Sequence, residues 1–116
     1  MTNLTEKKCE PCEGKMAPMP LVEVTRYLAQ LPIWQLSKDA KGITRQYVMK
    51  NFVAAVDFIN KVKGVAESEN HHPDIHLTGY RKLRIDLTTH AIGGLSENDF
   101  IVAAKINGLP AELKNV

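Results

Sequence analysis

Residues 51–90 read NFVAAVDFINKVKGVAESENHHPDIHLTGYRKLRIDLTTH, and a change of period inside this stretch decides the fold. Phe52, Ala55, Val56, Ile59, Val62 and Ala66 recur at spacings of three and four, the period of one apolar face on a helix. Asp57, Lys61 and Lys63 can stay in water. Gly64 weakens the last turn, because glycine inside a helix costs ~1 kcal/mol relative to alanine. Pro73 ends the segment, since the residue before a proline is driven out of the α region. Beyond it the period becomes two. Ile75 and Leu77 alternate with His76 and Thr78 as far as Gly79, and Leu83, Ile85 and Leu87 alternate with Lys82, Arg84, Asp86 and Thr88. Two strands follow the helix. By parity His90 falls with Thr88 and Asp86, away from the apolar set.

Working outward, Leu21, Val24, Leu28 and Leu31 mark an amphipathic helix over residues 21–31, closed by Pro32. Residues 33–36 and 43–48 are β-prone runs around a polar turn at 37–42, a hairpin signature. Downstream, Gly93-Gly94 breaks the chain, and Ser96-Glu97-Asn98-Asp99 opens a last helix carrying Phe100, Ala103 and Ala104 and ending near Gly108 and Pro110. The order is helix, two strands, helix, two strands, helix. Grouped antiparallel strands with helices over one face predict an α+β, two-layer domain over residues 21–116. Residues 1–20 hold Pro and Gly without apolar periodicity and read as an extended, partly mobile leader.

At 116 residues there is room for one domain. No apolar run reaches the ~18 residues that suggest a membrane span, and the first residues lack the apolar core of a secretory signal, so a cytoplasmic protein with no membrane partner is expected. The net charge is +2, and the one basic cluster is Arg81-Lys82-Leu83-Arg84. That is too narrow for an electrostatic nucleic-acid footprint, and nucleic acid is not an expected partner. Cys9 and Cys12 form a single pair where a structural zinc needs about four ligands. They sit in the leader, not at a helix start after a strand as redox pairs do. Both are expected to be dispensable for chemistry.

The chemistry concentrates elsewhere. His71, His72 and His90, with Glu67 and Asp99, are the only gathering of proton-transfer groups. Imidazole titrates near ~6.5 and exchanges protons at neutral pH with little tuning. The His71-His72-Pro73 element lies between a helix end and a stiff proline, well suited to presenting rings. Asp99 stands in capping-box spacing from Ser96 and has that structural role available as well. Glu67 reads equally as a solvated residue near a helix end. Adjacent histidines converge poorly on one ion, so no metal is expected. The residues themselves lead to a candidate histidine acid-base cleft and leave the substrate open.

From Glu67 onward the chain closely resembles the pterin-4a-carbinolamine dehydratase family. The motif is Glu67, then His71-His72-Pro73, Tyr80, Thr88-Thr89-His90, Gly94-Leu95-Ser96 and Asp99. The likeness extends over residues 34–106, and the leader around Cys9 and Cys12 resembles those of some bacterial and plant members. The resemblance implies a four-stranded antiparallel sheet with helices on one face, associating as homodimers or homotetramers. It implies removal of water from a 4a-hydroxytetrahydropterin, giving quinonoid dihydropterin for reuse as a tetrahydrobiopterin-type cofactor, with no cofactor of the enzyme's own. The catalytic set is then His71, His72 and His90. His71 and His90 transfer protons at the C4a hydroxyl and N5, while His72 orients the pterin. Glu67, Asn70, Pro73, Thr88, Thr89 and Asp99 are the substrate-binding positions. Asn70 replaces the Asp of animal members. The family also suggests a functional link to an aromatic amino-acid hydroxylase. The alternative it carries is a non-catalytic dimerisation, assembly or transcriptional-cofactor module on the same fold.

Overall fold

The structure, a computed structural model, describes residues 3–10 and 17–114. Alternation in the second half of the chain is realised as a hairpin of β3 (Asp74–Thr78) and β4 (Lys82–Leu87), numbered after β1 (Gln35–Leu36) and β2 (Ile43–Val48). The four strands form one antiparallel sheet in the order β1-β2-β4-β3. Pairing of Ile43 with Leu87, Tyr47 with Leu83 and Ile75 with Ile85 collects the apolar set on one face. The helices α1 (Leu21–Leu28), α2 (Phe52–Glu69) and α3 (Glu97–Asn107) cover that face. Phe58, Val62, Phe100, Ile101 and Val102 complete a core in which each is at most 1% exposed. The fold is the two-layer α+β arrangement, in the order α-β-β-α-β-β-α.

Both ends of α2 are fixed by asparagines. Asn51 accepts the Ala54 N–H at 2.8 Å through its side chain, the usual N-cap contact. At the other end Asn70 adopts a left-handed conformation with φ 51° and ψ 41°. The Asn70 N–H then reaches Glu67 O, and the His71 N–H reaches Ala66 O at 3.2 Å. This Schellman closure satisfies the last carbonyls and turns the chain out of the helix at His71.

Several local expectations differ from the fold. The first helix ends at Leu28, and residues 29–31 continue as hydrogen-bonded turns that still bury Leu31. Strand β1 is two residues long, with Ile33 exposed and Trp34 buried and donating to Asn107 Oδ1 at 2.8 Å. On α2 the buried stripe is Ala55, Phe58, Val62, Ala66 and Glu69, while Phe52 is 54% exposed. The predicted face holds at Ala55, Val62 and Ala66, which are buried, and at Val56 and Ile59, which are half-buried; it errs in including Phe52 and omitting Phe58 and Glu69. Gly64 interrupts nothing. The described part of the leader is extended at Lys7 and Pro20 but is tied to the domain. Leu4 lies in the core within a 3-10 turn, Leu4–Glu6, and Lys7 Nζ pairs with Glu97 at 2.9 Å.

Candidate active site

Beyond β4 the chain forms a closed loop. The Thr89 N–H donates to Gly94 O at 3.0 Å and the Gly94 N–H returns to Thr89 O at 3.4 Å, around a 3-10 turn at His90–Ile92. Gly93 closes the turn at φ 68°, a region that suits glycine. At Gly94 a Cβ would lie 2.8 Å from Pro18 Cβ, so the incoming segment can pass only over glycine. The loop buries Thr89 and leaves His90 exposed, as the parity of residues 86, 88 and 90 predicts.

The loop and the end of α2 face one cleft of about 530 Å³, within the usual range for a small-molecule site. His71, His72 and His90 all line it, with Asn70, Thr88 and Thr89. Asp99 stands behind the wall and is fully buried. Its Oδ1 lies 2.6 Å from His71 Nε2, and its Oδ2 accepts from Thr89 Oγ1 at 2.8 Å and from the Ser96 N–H at 3.0 Å. Capping α3 and holding a histidine are therefore one arrangement, not alternatives. With Asp99 as a carboxylate, which only accepts hydrogen bonds, this contact is made by a proton on His71 Nε2. In the neutral ring, Nδ1 is then the nitrogen left to act as a base.

His72 is more open. Its Nε2 meets Glu67 Oε2 at 2.5 Å, with both side chains more than half exposed. Glu67 thus touches the site through His72 and not as a lining residue. Pro73 does not line the cleft; it stiffens the passage into β3. His76 lies on the outer sheet face, 3.2 Å from Asp86. Among the described residues, no three His, Cys, Asp or Glu side chains are grouped as a metal-ligand set.

Sequence reasoning missed Cys9, Glu10, Glu69, Ala91 and Asn98, all of which border the same cleft. The sequence sets Cys9 in the leader, and the fold brings it to the wall of the cleft; Cys12 lies outside the described residues. Glu69 carried a usable signal. It continues the buried stripe of Val62 and Ala66, and a carboxylate on such a stripe needs partners. It has them, since Lys105 Nζ lies 2.7 Å from Oε2 and the Cys9 N–H donates to Oε1 at 2.8 Å. Burial works to raise the Glu69 pKa, but these contacts hold it below the ordinary carboxylate value. Burial, reinforced by Glu69, pushes the Cys9 thiol up to about 12, which leaves it unreactive near neutrality.

Residues 17–109 match the sequence pattern of the family described as pterin 4 alpha carbinolamine dehydratase. A protein of Halorhodospira halophila assigned as a pterin-4-alpha-carbinolamine dehydratase is 48% identical over 109 residues, covering 94% of this chain and 99% of the relative. The mitochondrial pterin-4-alpha-carbinolamine dehydratase 2 of Arabidopsis thaliana is 43% identical over 115 residues, covering 97% of this chain and 62% of that protein. Among solved structures, a transcriptional coactivator/pterin dehydratase from Brucella melitensis superposes with a TM-score of 0.73 at 30% identity, over 78% of this chain and 96% of the other.

Proposed function

This chain belongs to the pterin 4 alpha carbinolamine dehydratase family, and from that premise we propose that it is a hydro-lyase that dehydrates a 4a-hydroxytetrahydropterin to the quinonoid dihydropterin. The observation that carries the reading is the gathering of His71, His72 and His90 around one cleft, with buried Asp99 gripping His71. The elimination needs a proton delivered to the departing C4a hydroxyl and one taken from N5. We assign these transfers to His71 and His90, which reach the cleft from different elements and can flank a flat ring. Positioned groups of this kind contribute ~10²–10⁴-fold to a rate. His72, steadied by Glu67, orients the pterin, and Asn70, Thr88 and Thr89 complete its surroundings. No redox cofactor is required, because the step changes no oxidation state, and the histidines supply both proton transfers without a metal. This set of proton-transfer groups favours catalysis over a purely non-catalytic dimerisation or transcriptional-cofactor role.

The reaction that supplies the substrate must leave a hydroxyl on C4a, as aromatic amino-acid hydroxylases do, and such an enzyme is the natural functional neighbour. We propose that the activity is cytoplasmic, as the composition of the chain suggests; separately, among the described residues no helix is long and apolar enough to cross a membrane. No nucleic-acid partner is proposed, since the one basic cluster, Arg81-Lys82-Leu83-Arg84, is too narrow for an electrostatic footprint. Self-association as a homodimer or homotetramer is supported by apolar surface. Val48, Phe52 and Val53 are 46–66% exposed, and Leu113, bridged to Met49, is 47% exposed. Light scattering at micromolar concentration is expected to give a dimer or tetramer, and a fully active monomer contradicts that part of the reading.

The deciding experiment is stopped-flow observation of 4a-hydroxytetrahydropterin generated in situ. Purified protein is expected to accelerate its dehydration well above the spontaneous rate. A rate equal to the spontaneous one overturns the proposal.

A further inference from the structure

Residues 7–10 lie outside the region matched by the family pattern, which begins at residue 17. They are nevertheless built into the cleft. Cys9 and Glu10 border it, and the backbone at this point is held at several places. The Cys9 N–H donates to Glu69 Oε1 at 2.8 Å, the Glu10 N–H to Asn98 Oδ1 at 3.0 Å, and Asn98 Nδ2 to Glu10 O at 2.5 Å. Lys7 adds an ion pair to Glu97, which also accepts from Tyr27 Oη at 2.6 Å.

The Glu69 contact is the telling one. Its side chain is 3% exposed, and a buried carboxylate is costly unless its oxygens are engaged. One oxygen is taken by Lys105 and the other by the Cys9 peptide N–H of the leader. With residues 7–10 removed, a buried anion beside the cleft loses a partner. A trailing leader has no need of such an anchor; a segment that must sit at one place against a ligand does.

We propose that residues 7–10 are a fixed wall of the substrate cleft, that Glu69 and Asn98 are positioning residues holding this wall, and that it governs how tightly the pterin is bound without joining in the proton transfers. The inference rests on the dehydratase reading for its substrate. It assigns the wall a uniform contribution to ground state and transition state, which appears in KM and leaves kcat alone.

Two variants loosen the wall's backbone at its two separate anchors. Cys9→Pro removes the N–H given to Glu69, and Asn98→Asp keeps the acceptor for the Glu10 N–H while losing the donor to Glu10 O. Cys9→Pro is expected to raise KM about tenfold with kcat within twofold, and to weaken binding of a dihydropterin lacking the 4a hydroxyl by the same factor. Asn98→Asp is expected to act in the same direction. In the unaltered protein, the Cys9 and Glu10 amides are expected to exchange slowly with solvent, and more slowly still when that dihydropterin binds. Folded Cys9→Pro with unchanged KM and dissociation constant overturns the proposal. If that variant does not fold, amide exchange unaffected by the dihydropterin overturns it instead. An unaltered protein that binds the dihydropterin and protects these amides, yet accelerates no dehydration, sinks the dehydratase reading and leaves the wall standing.

Discussion

His71 and Asp99 meet at 2.6 Å across 28 residues of sequence, and the carboxylate that holds the imidazole is the one that caps α3. Site geometry and helix start are thus set by one side chain. Asp99→Asn should separate the two roles. The amide oxygen can still accept from Ser96 and Thr89, but the amide nitrogen then faces His71 and donates to Nε2, which moves the ring proton to Nδ1. A comparable tautomer error in a catalytic triad costs ~10⁴ in kcat. A loss of ~10²–10⁴ in kcat is expected here, with far-UV circular dichroism unchanged. A variant with full kcat excludes the assignment of His71.

The three cleft histidines should not respond alike. His71→Ala and His90→Ala are each expected to lower kcat by ~10²–10⁴. The double variant should lose less than the product of the two, because groups acting as a unit are not additive. His72→Ala should mainly raise KM. His76→Ala, on the outer sheet face beside Asp86, serves as the control and should do little. Steady-state dehydration, corrected for the spontaneous reaction, decides each case, and a silent His90→Ala contradicts the proposed division of labour.

Exhaustive chelation is expected to leave the rate unchanged, since histidine acid-base chemistry supplies both proton transfers. Activity lost to a chelator and restored by added zinc refutes this.

Stability should decline at alkaline pH. Burial pushes the Tyr47 hydroxyl from 10.0 up to about 12, and burial pushes the Cys9 thiol from 9.0 up to about 12. A hydrogen bond to Glu97, with burial, raises Tyr27 to about 12. A folded-state pKa above the unfolded one stabilises fully below the unfolded value, and that stability is lost as pH rises toward the folded value. The melting temperature should therefore fall from about pH 9 to pH 12. Tyr47 Oη is buried with no hydrogen-bond partner among the described residues. Tyr47→Phe should be neutral or stabilising by about 1 kcal/mol at pH 7, and should flatten the alkaline decline by up to ~1.4 kcal/mol per pH unit. A steeper decline in the variant contradicts the argument.

Asn70 tests the backbone beside the site. Its left-handed conformation is easy for glycine and strained for a β-branched residue. Asn70→Gly should hold stability within ~1 kcal/mol, whereas Asn70→Val should lose ~1–3 kcal/mol and lower kcat/KM by misplacing His71. Chemical denaturation of both variants, with kinetics, checks this. Equal stability of the two excludes a backbone role at this position.

How much of this was legible depends on sequence distance. The element order could be read because the period changes from three or four to two at Pro73, a local signal. So could the region of His71, His72 and His90, since a helix end and a glycine break mark where rings can be presented. The face of α2 could be read at Ala55, Val62 and Ala66 but not at its start, because Phe52, Val53, Val56, Phe58 and Ile59 surround that half of the helix and only packing chooses Phe58. The partners of residues 7–10 were out of reach for another reason. Glu69 is 60 residues from Cys9, and Asn98 is 88 from Glu10. No periodicity reports contacts of that range. Asp99 lay between these cases, since its capping role was local and its hold on His71 was tertiary.

The contact between Glu10 and Asn98 also fixes an order of events during synthesis. At ~5–20 residues per second, the ribosome takes roughly 4–18 s to travel the 88 residues that separate them. For that interval Leu4 has no α3 to pack against and the Glu10 peptide has no side-chain clamp. A nascent chain halted just before Asn98 already carries residues 7–10, all four histidines and both strands of the β3–β4 hairpin, but neither Asp99 nor the side chain that clamps Glu10. The cleft is therefore among the last features of the molecule to take shape, and its completion reports that α3 has arrived.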